Sequence, residues 1–350
     1  MPNSPGGFSY FLACSMALLG TLVPDAAAQT PVNDPAKRAE SILLESRRAI
    51  GGDKLAAVKT LVAAGRTRRV RGNNLVPIEF EIFIELPDKY LRADEFPAEE
   101  ADPTSSGFNG DALIQVPPPS APPAGGMPAR GTPPAGAAAP PPGATPPAGG
   151  MMPSGAGRGP APDPRKARIA ALKQEYARLA LGLFAQSPAY PLTYTFAAVA
   201  EAPQGKADVI DVKGEGNFAA RLFINSDTRL PIMVSWTTPP TSVIVTVPGQ
   251  PAPRTIAPGV VVVTGPPAPA ATASKEEKDE YTKAVLALRT KAQATPIEQR
   301  LYFADYRDVD GVKFPFRLRR AIGTETTEET TFDRFRINAR IDPKKFEPIK

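Results

Sequence analysis

Ile78-Glu79-Phe80-Glu81-Ile82-Phe83-Ile84-Glu85 is the stretch that decides the fold. Ile78, Phe80, Ile82 and Ile84 recur at every second position. Glu79, Glu81 and Glu85 fall on the other side. A period of two is the signature of a strand with one dry and one wet face. Pro87-Asp88 ends it.

Working outward, the same grammar repeats. Leu222-Phe223-Ile224, Asn225 to Thr228, then Leu230 to Trp236 reads as strand, turn, strand. Tyr302 to Tyr306, Asp308-Val-Asp-Gly311 and Val312 to Arg320 form a second such unit, and Thr326 to Ile337 follows as its neighbour. Strands joined by short turns imply an antiparallel sheet. The two pieces Val243–Val247 and Val260–Thr264, flanked by prolines, extend a hairpin or form a flap.

Helices interrupt the strands. Asp34-Pro35 opens the first, which carries Ile42, Leu43 and Ile50 and stops at Gly51-Gly52. Asp163-Pro164 opens another, with Ile169, Leu172, Tyr176, Leu179 and Leu183 on one side. Ser274 and Glu277 make a capping box for a third, whose thin stripe of Tyr281, Val285 and Leu288 suits a surface position. A sheet with one apolar face must bury it, and the helix at 164–185 has the longest stripe. The fold class read from this is α+β: a curved antiparallel sheet, an incomplete barrel, wrapped around or capped by helices.

Two segments interrupt that pattern. Residues 117–163 repeat Ala121-Pro-Pro-Ala-Gly-Gly126, Thr132-Pro-Pro-Ala-Gly-Ala137 and Thr145-Pro-Pro-Ala-Gly-Gly150. Proline removes backbone donors and glycine loosens the chain, so neither helix nor sheet propagates there. Residues 238–273 are also proline-rich. The domain reading is a signal segment at 1–28, then one α+β domain over 29–350 carrying these two insertions.

Tyr10 to Val23 is apolar but shorter than the roughly 20 residues of a membrane span. Ala26-Ala27-Ala28 follows as a cleavage signature, although residues 1–10 hold no Lys or Arg. An apolar anchor that is retained is the alternative. Cleavage after Ala28 removes Cys14, the only cysteine, and predicts an exported, periplasmic protein without disulfides. Residues 29–350 then carry 41 basic and 35 acidic groups, a net +6 spread along the chain. No nucleic-acid motif accompanies it.

The chain has no histidine. That removes the commonest general base and metal ligand, and with cysteine gone thiol and zinc chemistry go too. Glu79, Glu81 and Glu85 are the available carboxylate row, but alternation puts them in water. Asp308-x-Asp310-Gly311 starts like a calcium loop without its later ligands, and reads as a hairpin turn. No cofactor or metal site is implied, and the reading is a non-enzyme. Its partner is a lipid or acyl-chain ligand, with an envelope protein or a membrane surface as further partners. The inward apolar candidates for such a ligand are Phe80, Ile82, Ile84, Leu222, Ile224, Met233, Trp236, Phe316 and Leu318. The basic strand pieces offer Arg68, Arg317 and Arg319 as headgroup contacts. The alternative function is a structural or interaction module of the envelope, with the proline-rich insertions as spacers or docking segments.

Several strings together resemble the LolA/LolB-like superfamily of outer-membrane lipoprotein-sorting proteins. They are Arg48-Ala-Ile-Gly-Gly-Asp-Lys-Leu-Ala-Ala-Val-Lys59, Glu85-Leu-Pro-Asp-Lys-Tyr90, Leu230-Pro-Ile-Met-Val234, Tyr306-Arg-Asp-Val-Asp-Gly-Val-Lys-Phe-Pro315 and Phe335-Arg-Ile-Asn-Ala-Arg-Ile-Asp-Pro-Lys-Lys-Phe346. The resemblance implies an incomplete antiparallel barrel capped by helices, with an apolar cavity for acyl chains.

Overall fold

The computed structural model describes residues 34–71, 74–97, 101–118, 163–202, 205–250 and 256–348. The expected signal segment, with Cys14 and the Ala26–Ala28 signature, lies outside them, as does most of the 117–163 insertion.

The chain opens with α1 (Pro35–Ile50) and a single turn, α2 (Asp53–Ala56). Five strands follow: β1 (Thr60–Arg71), β2 (Asn74–Glu85), β3 (Lys89–Glu95), β4 (Thr104–Asn109) and β5 (Ala112–Val116). After the first insertion come α3 (Pro164–Phe184) and β6 (Leu192–Ala202), β7 (Gly205–Gly214), β8 (Phe218–Asn225) and β9 (Pro231–Thr238). The second insertion holds β10 (Ser242–Thr246) and β11 (Val260–Thr264), and leads into α4 (Lys275–Ala294). The chain closes with β12 (Ile297–Val309), β13 (Val312–Ile322), β14 (Glu325–Ile337) and a 3-10 turn at Pro343–Phe346.

Twelve strands form one open sheet in the order β5-β4-β3-β2-β1-β14-β13-β12-β9-β8-β7-β6. Every neighbouring pair is antiparallel. The first five strands step outward to one edge, the next four come in from the other, and the last three fill the middle. The quoted strand begins earlier than its alternation shows, at Asn74, and tolerates Pro77 because that end of β2 lies beyond the register with β3.

Local chemistry sets the boundaries. The Asp163 side chain accepts a hydrogen bond from the Arg165 amide at 2.9 Å, and α3 stops at Ala185 in the left-handed conformation. Both arms of the Ser274–Glu277 capping box are made. Asp310 and Gly311 take positive φ in the β12–β13 turn, and the Asp308 carboxylate accepts from the Gly311 amide at 2.9 Å. These three expectations hold.

The second insertion departs from the hairpin expectation. β10 and β11 pair in parallel, with Ser242 opposite Val260 and Thr246 opposite Thr264. A parallel pair needs a long crossover, which residues 247–259 supply. The pair is a separate two-stranded sheet with α4 laid against it.

The main core lies on one face of the large sheet, here called inner, under α1 and α3. A smaller cluster sits on the outer face, where Ile341 and Phe346 cover Val62, Phe83, Leu91 and Ile114. Helix α3 touches β4 and β5 near one edge, β13 in the middle, and β8 and β9 on the far side. Its 21 residues span about 30 Å. On a flat sheet β5 and β8 would stand nine spacings apart, roughly 43 Å. The sheet therefore bends toward the helix. One tight contact is at Gly182, where an added Cβ would lie 2.0 Å from the Phe303 ring. Only glycine allows the helix so near β12.

Candidate functional site

Seven of the nine apolar candidates are buried in the main core: Phe80, Ile82, Ile84, Leu222, Ile224, Trp236 and Phe316. Leu318 is half-buried and packs against it. Met233 stands apart, because Val234 and Trp236 set the inward phase of β9. Alternation then sends Met233 to the outer face, beside Tyr302 of β12 and Phe223 of β8. Ile84, Leu222 and Ile224 are completely covered, so most of the inner face is filled core, not open groove.

One cavity of about 190 Å³ remains between α3 and the inner face. Its apolar wall comes from both layers: Leu172 and Leu179 on the helix, and Ile82, Leu301, Leu318 and Phe332 on the sheet. Of the nine candidates, Ile82 and Leu318 line it.

Its polar wall is a row of charges across three strands. Arg69 on β1 stands opposite Glu328 on β14, which stands opposite Arg320 on β13. The Arg69 Nε donates to Glu328 Oε2 at 2.8 Å. Arg320 reaches the other way, donating through Nη2 to Glu175 of α3 at 3.1 Å. Arg92 on β3 donates through Nε to Asp94 at 2.6 Å and through Nη2 to the Thr67 hydroxyl at 3.4 Å. The Thr67 and Thr330 hydroxyls lie 2.9 Å apart and continue the chain to Glu328. Burial pushes the Glu328 carboxyl up, but the fields of Arg92, Arg69 and Arg320 outweigh it and hold the group below the ordinary glutamate range.

Beside these charges, Tyr90, Phe108 and Tyr176 pack with ring centres 5.1–5.9 Å apart. The Tyr176 hydroxyl is buried with no hydrogen-bond partner among the described residues. Burial pushes both phenols up, so they remain protonated.

This chemistry holds charge fixed. A general base works best with a pKa near the working pH. Glu328 is displaced away from that range, and Asp94 is tied to Arg92. Among the described residues no group of His, Cys, Asp or Glu is arranged to hold a metal ion. Glu79 and Glu81 border a separate outer-face cleft with Arg66, Asp333 and Arg334, and Glu81 pairs with Arg334 at 3.5 Å.

Arg68, Arg317 and Arg319 are exposed on the outer face, on the far side of the sheet from the cavity. Arg319 lies over the Tyr302 ring at 4.3 Å. The cavity brings together their neighbours Arg69 and Arg320, with Arg92 and Glu328. The signal for Arg320 was present: if Phe316 and Leu318 point inward, parity sends Arg320 inward as well.

The two ends of α3 are held differently. Near its C-terminus, Leu179 to Ala185 is buried throughout. There the Tyr306 hydroxyl has one proton to share between two carbonyls, Pro231 at 2.8 Å and Gly182 at 3.2 Å. Nearer the N-terminus, contacts to the rest of the chain include Lys173–Asp111 at 2.7 Å, Arg320–Glu175 at 3.1 Å and the Gln174 amide to the Gly216 carbonyl at 3.1 Å. Residues 164–168 are exposed. Among the described residues no helix is long and apolar enough to cross a membrane.

No family model and no curated protein matches the chain. Solved structures similar to it include a DUF1329 family protein from Desulfovibrio piger, at 8% identity and a TM-score of 0.41, covering 90% of this chain and 98% of that one. A LolA superfamily protein from Nitrosomonas europaea aligns at 9% identity and 0.41, over 88% and 97%. A domain from Vibrio parahaemolyticus assigned to outer-membrane lipoprotein sorting aligns at 7% and 0.42, over 89% and 97%. At these values the likenesses carry no argument about what this chain does.

Proposed function

We propose that this protein is an exported, non-catalytic binding or carrier protein for a lipid-like ligand, held between the sheet and α3. On this reading the bent sheet is an incomplete barrel and α3 is its removable filling. The observation that carries it is the cavity whose apolar wall is shared by Leu172 and Leu179 of α3 and Ile82, Leu301, Leu318 and Phe332 of the sheet. A volume of about 190 Å³ is below the roughly 300–1,000 Å³ of drug-sized ligand sites. The cavity as it stands seats part of a ligand, and α3 must swing for the rest. Its construction suits that motion: a pinned C-terminal end, and an N-terminal half held partly by ion pairs to the exposed acids Asp111 and Glu175, which solvent weakens. Each methylene newly buried would return roughly 0.8 kcal/mol. Arg68, Arg317 and Arg319, solvated on the outer face, then belong to contact with an anionic membrane surface and not to the bound ligand.

Native mass spectrometry of the gently purified protein, with organic extraction and lipid analysis of the same sample, tests this. A bound amphiphile at one per chain is expected. A protein that comes out empty and takes up no fluorescent acyl probe over a full titration would rule the reading out. The docking alternative rests largely on residues 119–162 and 251–255, which lie outside the described residues.

A further inference from the structure

The cavity wall between the sheet and α3 carries three cations and three acids, unequally shielded from water, and a further cation stands beside it. Arg69, Arg92 and Arg320 line the cavity, and two shielded acids answer them: Glu328 and Asp94, with side chains 14% and 15% exposed. The third acid, Glu175, is 56% exposed at the rim, where water and salt screen it. A fourth cation stands close by. The Arg178 guanidinium lies over the Phe218 ring at 5.2 Å and the Trp236 ring at 4.7 Å. Its Nε is buried with no hydrogen-bond partner among the described residues. Burial, with repulsion from Arg320 added, pushes this guanidinium down to about 10, still protonated at neutral pH. Arg320 meets the same indole at 5.7 Å. Two guanidinium groups therefore flank one buried tryptophan, and Glu175, the acid paired with one of them, is half-exposed.

Holding the Arg178 guanidinium out of water with no ion pair among the described residues is unfavourable, and a ligand that brings a negative charge relieves it. Guanidinium forks suit planar and tetrahedral oxyanions, which accept two N–H donors at once. We propose that the site selects anionic amphiphiles. The phosphate or carboxylate of the ligand lies beside Trp236 within reach of Arg320 and Arg178, and its apolar part runs along Leu172, Leu179 and Leu318. This inference rests on the reading that the space takes a hydrophobic ligand, and adds the charge of that ligand.

Trp236 is the only tryptophan in the chain, so fluorescence excited at wavelengths that tyrosine does not absorb reports on this spot alone. The test titrates the full protein with a lysophosphatidylglycerol, with the lysophosphatidylcholine of the same acyl chain, and with inorganic phosphate, the lysolipids below their micelle concentrations. The anionic lysolipid is expected to bind about tenfold or more tightly than the zwitterionic one, the scale of one charge-assisted contact. Arg320→Gln and Arg178→Gln should each narrow that preference, Arg320→Lys, which keeps the charge without the fork, should keep only part of it, and Arg319→Gln on the opposite face should leave it unchanged. Circular dichroism checks that each variant is folded, and the wild-type comparison stands without them. Equal binding of the two lysolipids overturns the charge selectivity and leaves the hydrophobic-ligand reading in place. Binding of inorganic phosphate as tight as that of the anionic lysolipid shows that the acyl chain adds nothing, and overturns the amphiphile. Binding of none of the three overturns both readings.

Discussion

The same charge triplet occurs twice in this sheet, once on each face. On the outer face Arg68, Glu329 and Arg319 stand in register across β1, β14 and β13. One residue along, on the inner face, Arg69, Glu328 and Arg320 occupy the same three strands. Sequence neighbours thus form two rows of identical composition. The outer row is solvated, and Glu329 there is exposed. The inner row lies under α3, where Glu328 is shielded and its acidity is strengthened by three arginines. Composition and register are matched between the rows, so what separates them is the helix. A charge pair in water contributes little, and the same pair out of water becomes costly to break.

The strongest way to break the comparison is to lift the helix. Gly182→Val places a branched side chain where even a Cβ would sit 2.0 Å from the Phe303 ring. Overpacking of that severity should cost about 3 kcal/mol or more in urea unfolding. If the protein stays folded, α3 moves off β12 and water reaches the inner row. Glu328→Gln made in that background should then cost little, as its outer counterpart does. Retention of the full Glu328 effect in the Gly182→Val protein would show that α3 is not what distinguishes the faces.

The next effect is the pair of single changes. Glu328→Gln leaves Arg69, Arg92 and Arg320 facing one another with one anion fewer. Breaking a fully buried pair costs roughly 3–5 kcal/mol. Arg69 is about one-third exposed, so discounting for solvent brings the expected loss to about 2–3 kcal/mol. Glu329→Gln should stay within about 0.5 kcal/mol. Equal losses at 328 and 329 would contradict the burial assigned to the inner row.

Acid should reveal the same difference more gently. A carboxylate held below its ordinary range adds stability that is complete above the unfolded-state value and disappears as pH falls through the lower folded-state value. The stability gap between the wild type and Glu328→Gln should therefore be widest at neutral pH and shrink as pH falls below the ordinary glutamate range. The gap for Glu329→Gln should stay small throughout. A gap at 328 that grows on acidification would mean that burial, not the arginines, dominates that carboxyl.

Some of this was legible in the residues and some was not. Alternation in β2 displayed its dry and wet faces, and the caps at Asp163 and Ser274 placed two helices. Phase was the harder quantity. Phe316 and Leu318 fix β13, and following them one step further gives Arg320. β14 gives no such guide, because Thr326-Thr327-Glu328-Glu329-Thr330-Thr331 is polar on both faces. Its register also shifts opposite Ala64/Gly65 and Arg320/Ala321, where parity counted from either end fails. Met233 and Trp236 are three apart, so a regular strand could not turn both inward. β4 carries too many small and polar residues to stand out, whereas β6 opens on the alternation Leu192-Thr-Tyr-Thr-Phe196, a strand signal present in the sequence but missed. The parallel pairing of β10 and β11 joins segments about a dozen residues apart, a relation that no local pattern encodes. The cavity is the clearest limit of all. Its volume depends on how far α3 bends the sheet across strands distant in sequence, and only Gly182 hinted at so close a crossing.

The smallest effect sharpens the outer row. Arg319 lies over Tyr302 at 4.3 Å, opposite Glu329 and in open solvent. A cation over an exposed ring contributes about 0.5–1 kcal/mol, and its charge is screened by salt. Arg319→Ala should thus lower stability by about 0.5 kcal/mol at low ionic strength, less at 1 M salt. It should leave the emission of the inward-facing Trp236 unchanged. Arg320→Ala removes the neighbouring guanidinium from the indole and breaks the tie to Glu175, so it should shift that emission. If Arg319→Ala moved the Trp236 spectrum as much as Arg320→Ala, the assignment of these two neighbours to opposite faces would be wrong, and with it the matched rows on which the comparison depends.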